Sequence, residues 1–271
     1  MTNDLDRSID IGRLYSSGTD QIPYLLPSDE IHIVDCHVDL FSSMADRLLG
    51  ILAEVEKEKA NSYRFPEHRD EFIVTRSLLR ILLGNYSRTD PRSLEFHYGP
   101  HGKPTLGWDR EGPPIGFSVS HSHRRALYAF TRGREIGVDL EKIRCGLPVK
   151  EISERFFTQR EAGDIHSVSE DVRDEIFFSY WTLKEAYLKG TGEGFSLPLD
   201  QFEVSLDPPQ VVSVQGNRGK ANRWSLRQLH LHPDYAAGIA VKNYNIESKH
   251  LKLQLLKLVG SADQKSRPSY E

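Results

Sequence analysis

Cysteine is scarce in this chain. Cys36 and Cys145 are the only two among 271 residues, far apart and in no metal-like spacing, which excludes a disulfide framework and a cysteine-built zinc site. No long Lys/Arg block precedes the C-terminal tail and the net charge is −4, so a general nucleic-acid binder is not expected and any bound anion must be met by local basic residues. No apolar run reaches membrane-spanning length, and Met1–Asp20 lacks the basic, apolar and small-residue order of a secretory leader. On these grounds a cytoplasmic protein in a reducing compartment, without membrane association, is expected.

What is present is concentrated in Phe177–Phe195. At about 100° per residue, Ile176, Phe177, Tyr180, Trp181, Leu183, Tyr187 and Leu188 fill one apolar arc of a helix. Lys184 falls inside that arc, where an ammonium either snorkels along its stem or meets an anion in a cleft. Glu185 and Lys189 lie four residues apart at the margin, as a solvated pair or as part of a site. The Gly190-Thr-Gly-Glu-Gly194 cluster ends the helix.

A second signal lies upstream. Ile115–Ile143 reads as a meander of three strands, Gly116–His121, Ala126–Thr131 and Glu135–Lys142. In the third, Ile136, Val138 and Leu140 point one way, which places Asp139 and Glu141 together on the other face about 7 Å apart. That pair is either an acidic solvent face or a place where a divalent cation relieves the repulsion. His121 with His123 lacks a third soft ligand nearby, so zinc is not expected.

The remaining chain supplies a strand at Glu30–Leu40, helical spacing over Phe41–Val55 and Arg64–Leu83, a Gly-Lys-Pro loop at Lys103, a helix over Val149–Ile165 and antiparallel strands from Phe202 to Val241. Strand, two helices and a hairpin thus occur twice, predicting two similar α+β halves that meet near Thr131–Glu135. The expected layout is an arm at 1–20, subdomains at 21–134 and 135–250, and a disordered Ser/Gln/Lys/Pro tail at 251–271.

Gly102-Lys-Pro, Ser118-Val-Ser-His121, Gly137-Val-Asp-Leu-Glu141 and Trp181-Thr-Leu-Lys-Glu-Ala-Tyr-Leu-Lys189 stand in one order, with Glu154-Arg-Phe-Phe and Pro198-Leu-Asp-Gln-Phe beside them. The chain in this respect closely resembles the Sfp-type 4′-phosphopantetheinyl transferases, from the strand near Ile31 to the strands near Val241. The resemblance implies two α+β subdomains in pseudo-twofold arrangement, each a small antiparallel sheet packed by helices. It implies transfer of the 4′-phosphopantetheine arm of coenzyme A to a serine of an apo acyl or peptidyl carrier protein, with release of adenosine 3′,5′-bisphosphate and a requirement for Mg²⁺. Asp139, Glu141 and Glu185 would then hold the metal, and Glu185 would also be the candidate base. Asp139 and Lys189 complete the catalytic set.

Coenzyme A would be met by Arg69, Lys103, Ser120, His121, Lys184 and Lys189. The sequence departs from the family pattern at Glu71, where many relatives carry a basic residue, and at Phe195, where they usually have leucine. A monomer is expected. The rivals are a catalytically silent coenzyme A or carrier-protein binding module, and a metal-dependent phosphodiesterase or nuclease, which the acidic balance disfavours.

Overall fold

The structure, a computed structural model, describes residues 7–10, 25–108, 111–242 and 252–259, the first and last of these as backbone strands. The first half contributes β1 (Arg7–Asp10), β2 (Glu30–His37), the helices α1 (Asp39–Ser42), α2 (Ala45–Leu49), α3 (Glu54–Asn61) and α4 (Pro66–Ser87), a ribbon of β3 (Phe96–Tyr98) and β4 (Pro104–Leu106), and the hairpin β5 (Ile115–Ser122) and β6 (Arg125–Arg132). The second half contributes β7 (Ile136–Lys142), α5 (Val149–Phe156), α6 (Gln159–Ser167), α7 (Glu170–Thr191), β8 (Phe202–Leu206), β9 (Pro209–Val214), α8 (Arg218–Ala221), β10 (Trp224–Gln228) and β11 (Tyr235–Lys242). A last strand, β12 (Lys252–Val259), returns to the first sheet.

The two main sheets have the orders β1-β12-β2-β6-β5 and β7-β11-β10-β9-β8. Within them one connection is used twice. A strand leads through helices to a hairpin whose second member lies antiparallel beside the first strand, giving β2-β6-β5 and β7-β11-β10. Each central strand is buried on both faces, as the apolar runs of β2, β6 and β11 require.

Side-chain alternation builds four layers from these parts. Val34, Cys36, Tyr128, Phe130 and Phe117 pack under α4 residues such as Val74, Leu78 and Leu82. On the opposite faces Ile31, Ile33, Leu127 and Ala129 meet Ile136, Val138, Leu140, Ile239 and Val241, so the sheets bury each other's backs. Ala236 and Ala240 with Leu183, Tyr187 and Trp224 close the far side under α7.

Several expectations are corrected. The three-strand meander is a hairpin plus a strand of the other sheet: the chain turns at Gly133 (φ 67°), and β7 pairs with β11 rather than β6. The single helix over Val149–Ile165 is two, because Phe157 is extended and Thr158 starts a new helix by accepting from the Glu161 N–H while the Glu161 side chain accepts from the Thr158 N–H. The stretch Phe41–Val55 forms short helices rather than one.

The first sheet is mixed, since β12 runs parallel to both β2 and β1. Residues 252–259 are therefore ladder and not tail, since β12 covers the edge of β2 that would otherwise present an unpaired row of N–H and C=O groups, and residues 7–10 are ladder and not arm, since β1 pairs with the far edge of β12. The rest of 1–20 and of 251–271 lies outside the described residues. No described helix is long and apolar enough to cross a membrane.

Candidate active site

Strands β5 and β7 are edge strands of different sheets and lie side by side without a backbone ladder. Alternate serines of β5 bridge them instead. Ser118 Oγ accepts from the Val138 N–H at 3.1 Å, and Ser122 Oγ accepts from the Lys142 N–H at 3.2 Å. The same side of β5 meets the β7 carboxylates: Ser120 Oγ donates to Asp139 Oδ1 at 2.8 Å, and Ser122 Oγ donates to Glu141 Oε2 at 2.9 Å. Period-two alternation on both strands aligns Ser-x-Ser with Asp-x-Glu.

Helix α7 brings the second wall. It passes so close to β7 that a methyl group on Gly137 would collide with the Ala186 carbonyl oxygen and the Gly190 amide, while one on Gly190 would collide with the Trp224 ring. The approach delivers Lys189, whose Nζ donates to Asp139 Oδ1 at 2.7 Å and to Ser120 Oγ at 2.8 Å. Glu185, one turn earlier and half-buried, has no hydrogen-bond partner among the described residues. The helix stops at Gly192 in the left-handed conformation (φ 73°).

Electrostatics mark this cluster as unfinished. Burial and the Asp139 charge push the Glu185 carboxyl above its usual range, with Lys189 opposing; burial and Asp139 do the same to Glu141, against the Ser122 hydrogen bond. Asp139 Oδ2 is buried without a hydrogen-bond partner among the described residues. An orphaned carboxylate oxygen and two carboxylates raised by burial and by the Asp139 charge are the donor chemistry a hard divalent cation takes. As they stand, no three described carboxylates converge on one point, and the Lys189 ammonium occupies Asp139. The residues fit a cation in chemistry, with the Lys189 contact to be exchanged on binding.

A cleft of about 500 Å³ opens beside the cluster. Phe72, Thr75, Arg76 and Leu79 of α4 line one side, Glu185, Leu188 and Lys189 of α7 the other, and Lys103, Val119 and His121 lie along it. Lys103 Nζ donates to the Ile136 carbonyl at 3.2 Å and to the Gly190 carbonyl, and burial lowers its pKa to about 8. His121 is exposed, with Nδ1 3.7 Å from Glu71 Oε1. Arg69 is paired with Asp70 at 3.1 Å and shares its helix face with Phe72 and Arg76.

Lys184 is the clear departure. Its side chain is fully buried, 2.8 Å from Glu161 Oε1, and donates to the Leu199 and Phe202 carbonyls at 2.8 and 2.5 Å. It points into the second-half core and not into the cleft, so the expectation that it contacts coenzyme A is withdrawn. Its anionic partner comes from α6, remote in sequence, which neither reading of its helical position anticipated.

Three groups escaped the sequence reading. Glu161 was visible as Thr158-x-x-Glu, a capping-box pattern, though not as the partner of Lys184. Ser122 was visible only as one more serine in the alternation of β5. Arg76, held by Glu56 at 2.5 Å and by Tyr98 Oη at 2.8 Å, gave no signal beyond helical spacing.

The chain is similar in sequence to known proteins. Residues 135–240 match the 4′-phosphopantetheinyl transferase superfamily. The chain is 36% identical to the 4′-phosphopantetheinyl transferase HetI of Nostoc sp. over 224 residues, covering 83% of this chain and 92% of that protein. It is 29% identical to the 4′-phosphopantetheinyl transferase Sfp of Bacillus subtilis, over 63% of this chain and 73% of the relative. A further Bacillus subtilis 4′-phosphopantetheinyl transferase is 28% identical over 73% of this chain and 91% of its own length. A likeness to HetI at that identity, spanning nearly all of the relative, together with the site just described, makes this chain a member of the 4′-phosphopantetheinyl transferase family, of the Sfp type.

Proposed function

We propose that this protein moves the 4′-phosphopantetheine arm of coenzyme A onto a serine of an apo acyl or peptidyl carrier protein. The observation that carries the reading is the contact of Lys189 on α7 with Asp139 on β7, with Glu141 next on the same strand face and Glu185 one helical turn before Lys189, where Glu185 and Lys189 line a cleft. The serine Oγ forms a bond to the β-phosphorus of coenzyme A while the bridging P–O bond breaks, and adenosine 3′,5′-bisphosphate leaves. Glu185 accepts the serine proton, a role suited to a carboxyl whose pKa is raised toward neutrality.

Asp139, Glu141 and Glu185 would hold Mg²⁺, which neutralises charge on the pyrophosphate when bound. Lys189 shifts from Asp139 to the leaving phosphate and stabilises the charge that collects there. Ser120, His121, Lys103 and Arg69 serve the phosphates and nucleotide, with Lys103 reached by exchanging a carbonyl contact for an anion. The halves 21–134 and 135–250 act as the two jaws of the cleft. One chain encloses that cleft, which supports a monomer as the working unit, and the cytoplasm is the compartment where coenzyme A and reduced cysteines coexist.

The test is intact mass of several apo carrier proteins after incubation with coenzyme A and Mg²⁺. A gain of one phosphopantetheine on at least one carrier is expected. Coenzyme A binding without any mass gain would replace this reading by the silent binding module.

A further inference from the structure

Ser122 is a buried hydroxyl at the end of β5, outside the residue set above. Two of its hydrogen bonds have a fixed direction. A hydroxyl has one proton to donate and two lone pairs. The Lys142 N–H, 3.2 Å away, can only donate to it, and the Glu141 carboxylate, 2.9 Å away, can only accept. The proton therefore points at Glu141 Oε2, and the remaining lone pair faces His123 Nδ1 at 3.2 Å. Ser122 is the hydrogen-bond donor to that carboxylate among the described residues.

The hydroxyl is itself held in place. It follows from the strand register that sets Ser120 on Asp139, each serine lying 19 residues before its carboxylate. Beyond it the chain turns through His123 and Arg124, both with positive φ (46° and 64°), and Tyr235 Oη of β11 donates to the His123 carbonyl at 3.1 Å. The turn is thereby tied to the sheet that carries Glu141.

We infer that Ser122 is a positioning residue for the metal site: by occupying Glu141 Oε2 it fixes the carboxylate plane and leaves Oε1 as the oxygen offered to the cation. This rests on the proposed use of Glu141 as a metal ligand. Partners that orient a ligating carboxylate commonly matter about 10–100-fold in metal affinity.

The test measures Mn²⁺ binding by electron paramagnetic resonance on the full chain with coenzyme A, and coenzyme A binding without metal by calorimetry. Ser122→Ala is expected to weaken Mn²⁺ binding about tenfold or more, with metal-free coenzyme A affinity unchanged. Ser122→Thr, which keeps the hydroxyl, should restore most of the loss. If the alanine variant does not fold, Ser122→Cys keeps the volume with a weaker donor and should give a smaller loss of the same kind. Wild-type Mn²⁺ affinity in the alanine or cysteine variant overturns the inference, as does an equal loss of metal-free coenzyme A binding. Absence of Mn²⁺ binding in the wild type overturns the metal reading itself, and the inference with it.

Discussion

At the scale of single residues, Lys184 and Glu185 are neighbours on α7 with opposite fates. Glu185 faces the cleft, its charged form destabilised by burial and then by the Asp139 charge, with Lys189 opposing. Glu185→Gln is expected to lower transfer about 10²–10⁴-fold, as loss of a positioned base does, with coenzyme A affinity retained. The same change relieves like-charge repulsion, so the metal-free variant should unfold at a higher temperature than wild type by scanning calorimetry. Lys184 and Glu161 are both fully buried and paired. Lys184→Met strips the carboxylate of its partner and should cost about 3–5 kcal/mol in urea unfolding. Its metal-free coenzyme A affinity per folded molecule should match wild type, because the side chain does not reach the cleft.

Among elements, the contact between β7 and α7 decides whether a site exists. Gly137, Ala186 and Gly190 let two backbones approach until Lys189 touches Asp139. Gly137→Ala inserts a methyl where the α7 backbone lies and should destabilise by about 1–3 kcal/mol or more. A shift of roughly 1 Å in Glu185 and Lys189 then costs transfer about 10²-fold, a loss visible in steady-state turnover of the folded fraction. The other element-level contact, β5 to β7, is made by side chains where a ladder would have been made by backbone. Serine hydroxyls satisfy the Val138 and Lys142 amides, so the edge of β7 stays paired while its carboxylates remain available.

Across the whole molecule, Lys103 is a cross-link from the first half to the second. Its ammonium reaches the carbonyls of Ile136 on β7 and Gly190 on α7, and its stem packs on Gly192. Burial lowers its pKa to about 8 from an ordinary 10.5. Between those values the unfolded chain holds the extra proton, so this group makes stability rise with pH over that interval, and below about pH 8 its effect is constant. Comparing urea midpoints of wild type and Lys103→Met near neutrality and at about pH 9.5 should show the variant lacking that rise. Coenzyme A affinity should fall in wild type as pH passes about 8, and the fall should be absent in the variant.

Much of this was legible in the order of residues. Alternation placed Asp139 and Glu141 opposite Ile136, Val138 and Leu140, and the repeated strand-helix-hairpin order announced two similar halves. Such patterns are local: a period of two or 3.6 follows from backbone geometry and needs no partner. Helical spacing likewise put Glu185 and Lys189 on one margin of α7. The fate of Lys184 was not local, since a buried lysine and a cleft lysine occupy the same place on a helical wheel and only Glu161, brought by a separate helix, separates them. The same holds for β7, whose membership in the second sheet depends on β11 almost a hundred residues later, and for β12, which completes the first sheet from the far end of the chain. The sequence by itself determined which faces were apolar and which residue types were gathered into motifs. Tertiary structure alone decided which charges meet, because charge pairing depends on distances between elements and no periodicity within one element encodes them.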